Sequence, residues 1–285
     1  MLIGAHVSIA GGMDKGLERA KALGAEAIQT FASSPRTIHY TPMSEASIVS
    51  YLSQRAQSGV EYHLFHGVYL INLAHDNPTY VKVCVDSLKY YQSLAGRIGA
   101  QGTIFHVGSH KGKGLQTYLA QIAGAIAEVA AGMPDKIWLL LENAAGQKGT
   151  IGQRFEELKT IIEAVRGMGA ETNRLGVGMD TQHAFASGYD LRTEGGLETL
   201  LTDIDMSVGL DKLQVIHLND SATPYAGCRD RHANLGDGAI GLIGLRRVIN
   251  HPRLKHLPFI LEVPGEKQGP RLEDVQALKA LVKHE

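Results

Sequence analysis

The sequence predicts a single-domain α/β fold, a closed (β/α)8 TIM barrel, on two observations. Strand and helix signals alternate every roughly 30 to 40 residues, the rhythm of βα units that build a parallel sheet. Eight stretches read as short strands, mostly apolar on both faces, as a sheet enclosed by helices requires. Seven of the eight end, at or near the C-terminal residue, in a histidine or carboxylate for which an apolar strand has no structural use. In a parallel barrel those ends converge on one face, where such enzymes build their active sites.

Taken in order, LIGAHVS carries His6, and the second strand leads into the loop FASSPRTIHY at 31–40. EYHLFHG carries His66, GTIFHVGS His106, IWLLLEN Glu142, RLGVGMD Asp180, LQVIHLN His217 and FILEVP Glu262. Helices are expected over 13–23, 44–58, 78–98, 115–131, 153–168, 195–208, 240–250 and 271–283. Apolar residues recur there at three- and four-residue spacing, as in Leu17, Ala20 and Leu23 or Leu158, Ile161, Ile162 and Val165. Eight strands with eight helices favour closure into a barrel over an open doubly wound sheet. Helix-to-strand connections are short, such as Gly24-Ala25 and Gly59-Val60, whereas the strand-to-helix loops carry His, Arg, Tyr, Asp and Gly. Function belongs on that second face.

At 285 residues the chain is long enough for one such barrel, so a single domain over 1–285 is expected. Cys84 and Cys228 lie far apart without a CxxC, which excludes a disulfide framework and a thiolate zinc knuckle and suits a reducing compartment. The N-terminus lacks a basic, long-apolar leader and no run of about eighteen apolar residues occurs, so a soluble cytoplasmic monomer with no membrane partner is expected. A net charge of -1 is not the basic balance of proteins that grip nucleic acid with lysine and arginine. Thirteen histidines, by contrast, exceed ordinary structural needs.

Two dense clusters join the strand-end residues. MDTQHAFASGYD holds Asp180 and His183, and CRDRHANLGDG holds Asp230 and His232, which at i, i+2 face one way on an extended loop. The candidate metal ligands are therefore His66, His106, Glu142, Asp180, His183, His217, Asp230, His232 and Glu262. A catalytic zinc typically takes three protein ligands and keeps a position open, so this set suits two or three ions with a carboxylate between two of them. Nitrogen and oxygen donors without sulfur fit Zn or Mn. Such ions would let an anionic substrate bind without a basic surface. His6 is read as a donor that orients neighbouring ligands. His39, His63, His75, His110, His251, His256 and His284 are read as surface or packing residues.

The motifs GAHVS-IAGG at 4–12, HGVYLINLA at 66–74, FHVGSHKG at 105–112, LENAAGQ at 141–147, MDTQHAFASGYD at 179–190, HLND at 217–220, DRHANLGDGAIG at 230–241 and LEVPG at 261–265 resemble those of the endonuclease IV family. The resemblance runs essentially from residue 2 to the end. It implies a zinc-dependent apurinic/apyrimidinic endonuclease acting on duplex DNA with abasic sites, with three zinc ions per chain and Mn2+ allowed at some positions. His66, His106 and Glu142 would hold one ion; Glu142, Asp180, His217 and Glu262 a second; His183, Asp230 and His232 a third. Glu142 would be catalytic, lying between ions and orienting the attacking water. Arg36 and Tyr69 would enter the DNA beside the lesion. The reaction expected is cleavage 5′ to the abasic site, leaving a 3′-hydroxyl and a 5′-deoxyribose phosphate, with 3′-end trimming as a companion activity.

The sequence departs from the family pattern in three places. Ser34 and Thr37-Ile38 replace an Asn and a Gln-Trp pair, SATPYAGC at 221–228 lacks a Lys, and Gln182 stands where Cys is frequent. Gln182 is expected to leave the neighbouring ligands unaltered. Two other readings compete: a xylose-isomerase-like sugar isomerase or epimerase on one or two divalent ions, and a non-catalytic lesion-binding protein. The first has no use for Arg36, Tyr69 or the His183, Asp230, His232 cluster; the second has none for a complete ligand set.

Overall fold

The computed structural model describes residues 1–266 and 269–283, so Lys267 and His284 lie outside the described residues. The strands are β1 (Ile3–His6), β2 (Ala27–Thr30), β3 (Tyr62–His66), β4 (Gly102–Phe105), β5 (Trp138–Glu142), β6 (Leu175–Asp180), β7 (Leu213–His217), β8 (Asp220–Ser221), β9 (His232–Ala233) and β10 (Phe259–Leu261). The helices are α1 (Met13–Leu23), α2 (Glu45–Ser58), α3 (Pro78–Ile98), α4 (Leu115–Ala130), α5 (Phe155–Gly167), α6 (Thr181–Ser187), α7 (Glu194–Ser207), α8 (Gly241–Ile249) and α9 (Leu272–Leu281). Eight strands close a parallel barrel in the order β1-β10-β7-β6-β5-β4-β3-β2, and β8 and β9 form a separate antiparallel pair.

The barrel interior explains where the polar strand ends go. Ala27, Leu64, Ile104, Leu140, Val215 and Ile260 pack together as one apolar cluster inside the barrel. Side chains two positions apart on a strand point the same way. Two residues further along these strands stand Gln29, His66, His106, Glu142, His217 and Glu262. On β1 and β6 the corresponding pairs are Gly4 with His6 and Gly178 with Asp180. The glycines are required by packing, because a Cβ on Gly178 would lie 2.2 Å from Ile104 Cδ1 and one on Gly4 would lie 1.8 Å from the Ala27 carbonyl oxygen. The apolar layer thus carries a polar belt directly above it.

Two elements differ from the sequence expectation. Helix α6 follows β6 directly, and all seven of its residues are buried, so it shows no polar face to betray a helical period. Asp180 caps it by accepting a hydrogen bond from the His183 amide at 2.9 Å. The segment expected as a free extended loop instead pairs His232–Ala233 with Asp220–Ser221. The Asp220 carboxylate, fully buried, accepts from five backbone amides, those of Ser221, Gly236, Gly238, Ile240 and Gly241, at 2.8–3.2 Å. That cage fixes the loop that follows His232. His6 is the last residue of β1.

Candidate metal centre

All nine candidate ligands converge at the C-terminal end of the barrel. Glu142 is their centre. Its Oε2 lies 3.0 Å from His66 Nε2 and 3.4 Å from His106 Nε2, and its Oε1 lies 3.0 Å from His217 Nδ1 and 3.5 Å from His183 Nδ1. Burial alone would push its carboxyl pKa up, but the imidazoles of His106 and His217 outweigh that and hold it well below the usual range. Burial likewise opposes charge on His217, and the carboxylates of Glu262 and Glu142 reverse it, raising its pKa.

The donor atoms fall into groups able to hold an ion, with atoms within 4.8 Å of one another. His66, His106 and Glu142 form one, and Glu142, Asp180, His217 and Glu262 form another. His183 belongs to two overlapping triads, with His106 and Asp230 and with Asp180 and His232. Asp230 connects them, its Oδ1 lying 3.4 Å from His183 Nε2 and 3.5 Å from His232 Nε2.

The donor chemistry fits divalent cations. Backbone carbonyls accept only, so Nδ1 must carry the proton where His66 meets the Gly67 carbonyl at 2.7 Å, His183 that of Asn143 at 3.0 Å and His232 that of Glu262 at 3.1 Å. Each Nε2, which faces carboxylates, is then the ring nitrogen that can give up a proton and ligate. Among the described residues, Nε2 of His183 and of His232 are buried without a hydrogen-bond partner. Such orphans are costly unless something ligates them.

Tyr69 and Arg36, both exposed, stand over this centre. They line a cavity of about 730 Å3 together with His6, Phe31, Pro35 and Glu262. The Tyr69 ring stacks on His106 at 6.4 Å and meets the edge of Phe31 at 5.7 Å. The altered loop keeps its arginine outward while Ile38 packs into the core. His63 is wholly buried, as a packing residue, whereas His39 and His256 are exposed.

Several supporting residues were not singled out by the sequence. Asn143 and Asn219 pin the backbone and carboxylate of Asp180, and Asn219 also accepts from the Glu262 amide at 2.7 Å. Their signal was position, directly after or two residues beyond a strand-end ligand. Gln182, expected to leave the neighbouring ligands unaltered, reaches the backbone beside one of them. Its Nε2 donates to the Arg229 carbonyl at 2.9 Å and its Oε1 accepts from the Arg231 amide at 3.2 Å, gripping the backbone on both sides of Asp230.

The chain matches the xylose isomerase-like TIM barrel family over residues 17–283, which defines its class. It is 42% identical over 281 residues to the probable endonuclease 4 of Halothermothrix orenii, covering 99% of both chains, and 35% identical to that of Halorhodospira halophila, covering 94% of this chain and 89% of the other. The crystal structure of endonuclease IV from Thermus thermophilus superposes with a TM-score of 0.85 at 33% identity, covering 99% of this chain and 98% of that one. The chain belongs to the endonuclease IV family and is accordingly an enzyme. A D-tagatose 3-epimerase-like protein, at 19% identity and a TM-score of 0.70, shares the fold alone. Among the described residues no helix is long and apolar enough to cross a membrane.

Proposed function

We propose that the chain is a metal-dependent apurinic/apyrimidinic endonuclease that hydrolyses the phosphodiester 5′ to an abasic site in duplex DNA. The products are a 3′-hydroxyl and a 5′-deoxyribose phosphate. The observation that carries the reading is a complete donor set centred on buried Glu142, beside a cavity whose rim holds Arg36 and Tyr69. His66, His106 and Glu142 would hold one zinc, Glu142, Asp180, His217 and Glu262 a second, and His183, Asp230 and His232 a third. Bound ions there supply an acidified water as nucleophile and offset charge on the phosphate oxygens.

The chain's own residues do the rest. Glu142, ionised and contacted by histidines from both sides, orients the nucleophile and keeps neighbouring ligands in place. Arg36 and Tyr69 present a guanidinium and a planar ring where a missing base leaves a gap, and extruding a sugar that has lost its base costs little, which gives selectivity.

Incubation with a duplex bearing one abasic analogue tests the reading. A single cut 5′ to the analogue is expected, with a polymerase-extendable 3′ end, abolished by a chelator and restored by zinc. An intact duplex with the zinc-loaded protein would refute it, and interconversion of a ketose and its epimer would favour the sugar isomerase.

A further inference from the structure

We propose that Gln29 is the positioning residue that selects which atoms of His217 and Glu262 face the metal centre. The inference rests on the metal-dependent reading above. β2 is the one barrel strand that brings no charged or imidazole group to the belt; it brings Gln29, wholly buried. The amide reaches two candidate ligands at once. Its Nε2 lies 2.5 Å from Glu262 Oε1, and its Oε1 lies 2.8 Å from His217 Nε2.

The proton positions follow from the partners. A carboxylate only accepts, so the edge of the amide that faces Glu262 is its NH2. The other edge is then the carbonyl, which also only accepts, so His217 Nε2 must carry a proton. The nitrogen that can give up its proton and ligate is therefore Nδ1, which faces Glu142 Oε1 at 3.0 Å and Glu262 Oε2 at 3.2 Å. This is the reverse of His66, His183 and His232, whose Nδ1 atoms are held by backbone carbonyls. His217 takes a side-chain amide in place of a carbonyl. Glu262 is oriented by the same amide: Oε1 is occupied by Gln29 and lies 3.2 Å from His6 Nδ1, which leaves Oε2 toward the centre. Partners of this kind typically change metal affinity by roughly 10–100-fold when removed.

The test uses the full chain, stripped of metal and titrated with zinc against a chromophoric chelator. Gln29→Met keeps length and packing but makes neither hydrogen bond; one zinc site should weaken by roughly 10–100-fold. Gln29→Glu, which still accepts from His217 but repels Glu262, should fall between it and wild type, and it serves if Gln29→Met does not fold. Nitrogen-correlated NMR of 15N-histidine protein gives a second readout: the His217 proton should reside on Nε2 in zinc-loaded wild type and lose that fixed position in Gln29→Met. Unchanged zinc affinity in both variants, or an Nδ1–H tautomer for wild-type His217, overturns the proposal. Should Gln29→Met lose zinc while wild type leaves abasic DNA intact, Gln29 keeps its role and the endonuclease reading fails. A wild-type protein that takes up no zinc overturns both.

Discussion

Glu142 and His217 meet with Oε1 3.0 Å from Nδ1, both wholly buried, at the point where two groups of candidate ligands share one carboxylate. Replacing this carboxylate strikes both groups together. Glu142→Gln keeps the shape but removes the charge that orients the nucleophile, so cleavage of abasic duplex should fall by several orders of magnitude while duplex binding persists. A variant retaining more than about a tenth of the rate, a change of only ~1.4 kcal/mol in barrier, would remove Glu142 from its catalytic role.

Gln182→Ala should act on one part of the centre only. Without the amide, the Arg229 carbonyl and Arg231 amide lose a buried partner, and Asp230 between them loses its fixed place. Bound zinc per chain, measured after dialysis against a weak chelator, should drop by about one ion, and amide exchange over 229–233 should quicken. Equal zinc retention in variant and wild type would show that Asp220 and the β8–β9 pairing hold the loop unaided.

Much of this was legible in the sequence because a barrel strand repeats every two residues and its end must face the site. That rule placed His66, Glu142, Asp180 and His217 at the strand ends the structure gives them. The same rule covers Gln29, two positions beyond inward-facing Ala27, but an uncharged residue in AIQTF carries no ligand chemistry to mark it. Helix α6 was hidden because burial on every side erases amphipathic periodicity. The grip of Gln182 on residues 47 and 49 positions away is a long-range contact that no local pattern encodes.

Stability should carry a signature of His63. Its Nδ1 meets the Tyr51 hydroxyl at 2.7 Å and its Nε2 meets Thr30 Oγ1 at 2.9 Å, and burial, with a smaller contribution from Arg55, lowers its pKa to about 3. The folded state therefore favours the neutral ring. Its contribution is whole above the unfolded pKa near 6.5 and is lost as pH falls toward 3, amounting to about 2 kcal/mol by pH 5. Urea unfolding at pH 7 and pH 5 checks this against His63→Phe, which has no such group to titrate. The variant should lose about 2 kcal/mol less between the two pH values, and equal losses would refute the assignment.

Salt dependence should be shallow. The net charge is -1, and Lys113, on the site-facing loops, is already paired with Asp76 at 2.7 Å. Few phosphates would then be neutralised, and each contributes roughly -0.9 to the slope of log affinity against log salt. A slope near -10, measured on abasic duplex, would mean that Lys111, Lys148 and the arginines of this face contact the backbone extensively.

Arg36 and Tyr69 separate recognition of the lesion from hydrolysis. Both line the cavity of about 730 Å3, yet neither belongs to the ligand groups, and the Tyr69 ring meets the centre stacked on His106 and tilted against His66. A planar ring and a guanidinium that fill the gap left by a base contribute about 1–3 kcal/mol per stacked base. Arg36→Ala combined with Tyr69→Ala should therefore weaken affinity for abasic duplex by roughly ten- to a hundredfold and slow turnover at low substrate. Zinc content and hydrolysis of a small phosphodiester, which has no gap to fill, should stay at wild-type levels. Equal loss on both substrates would mean that the Tyr69 ring supports His106 and His66 rather than DNA, and the insertion role would have to be given up.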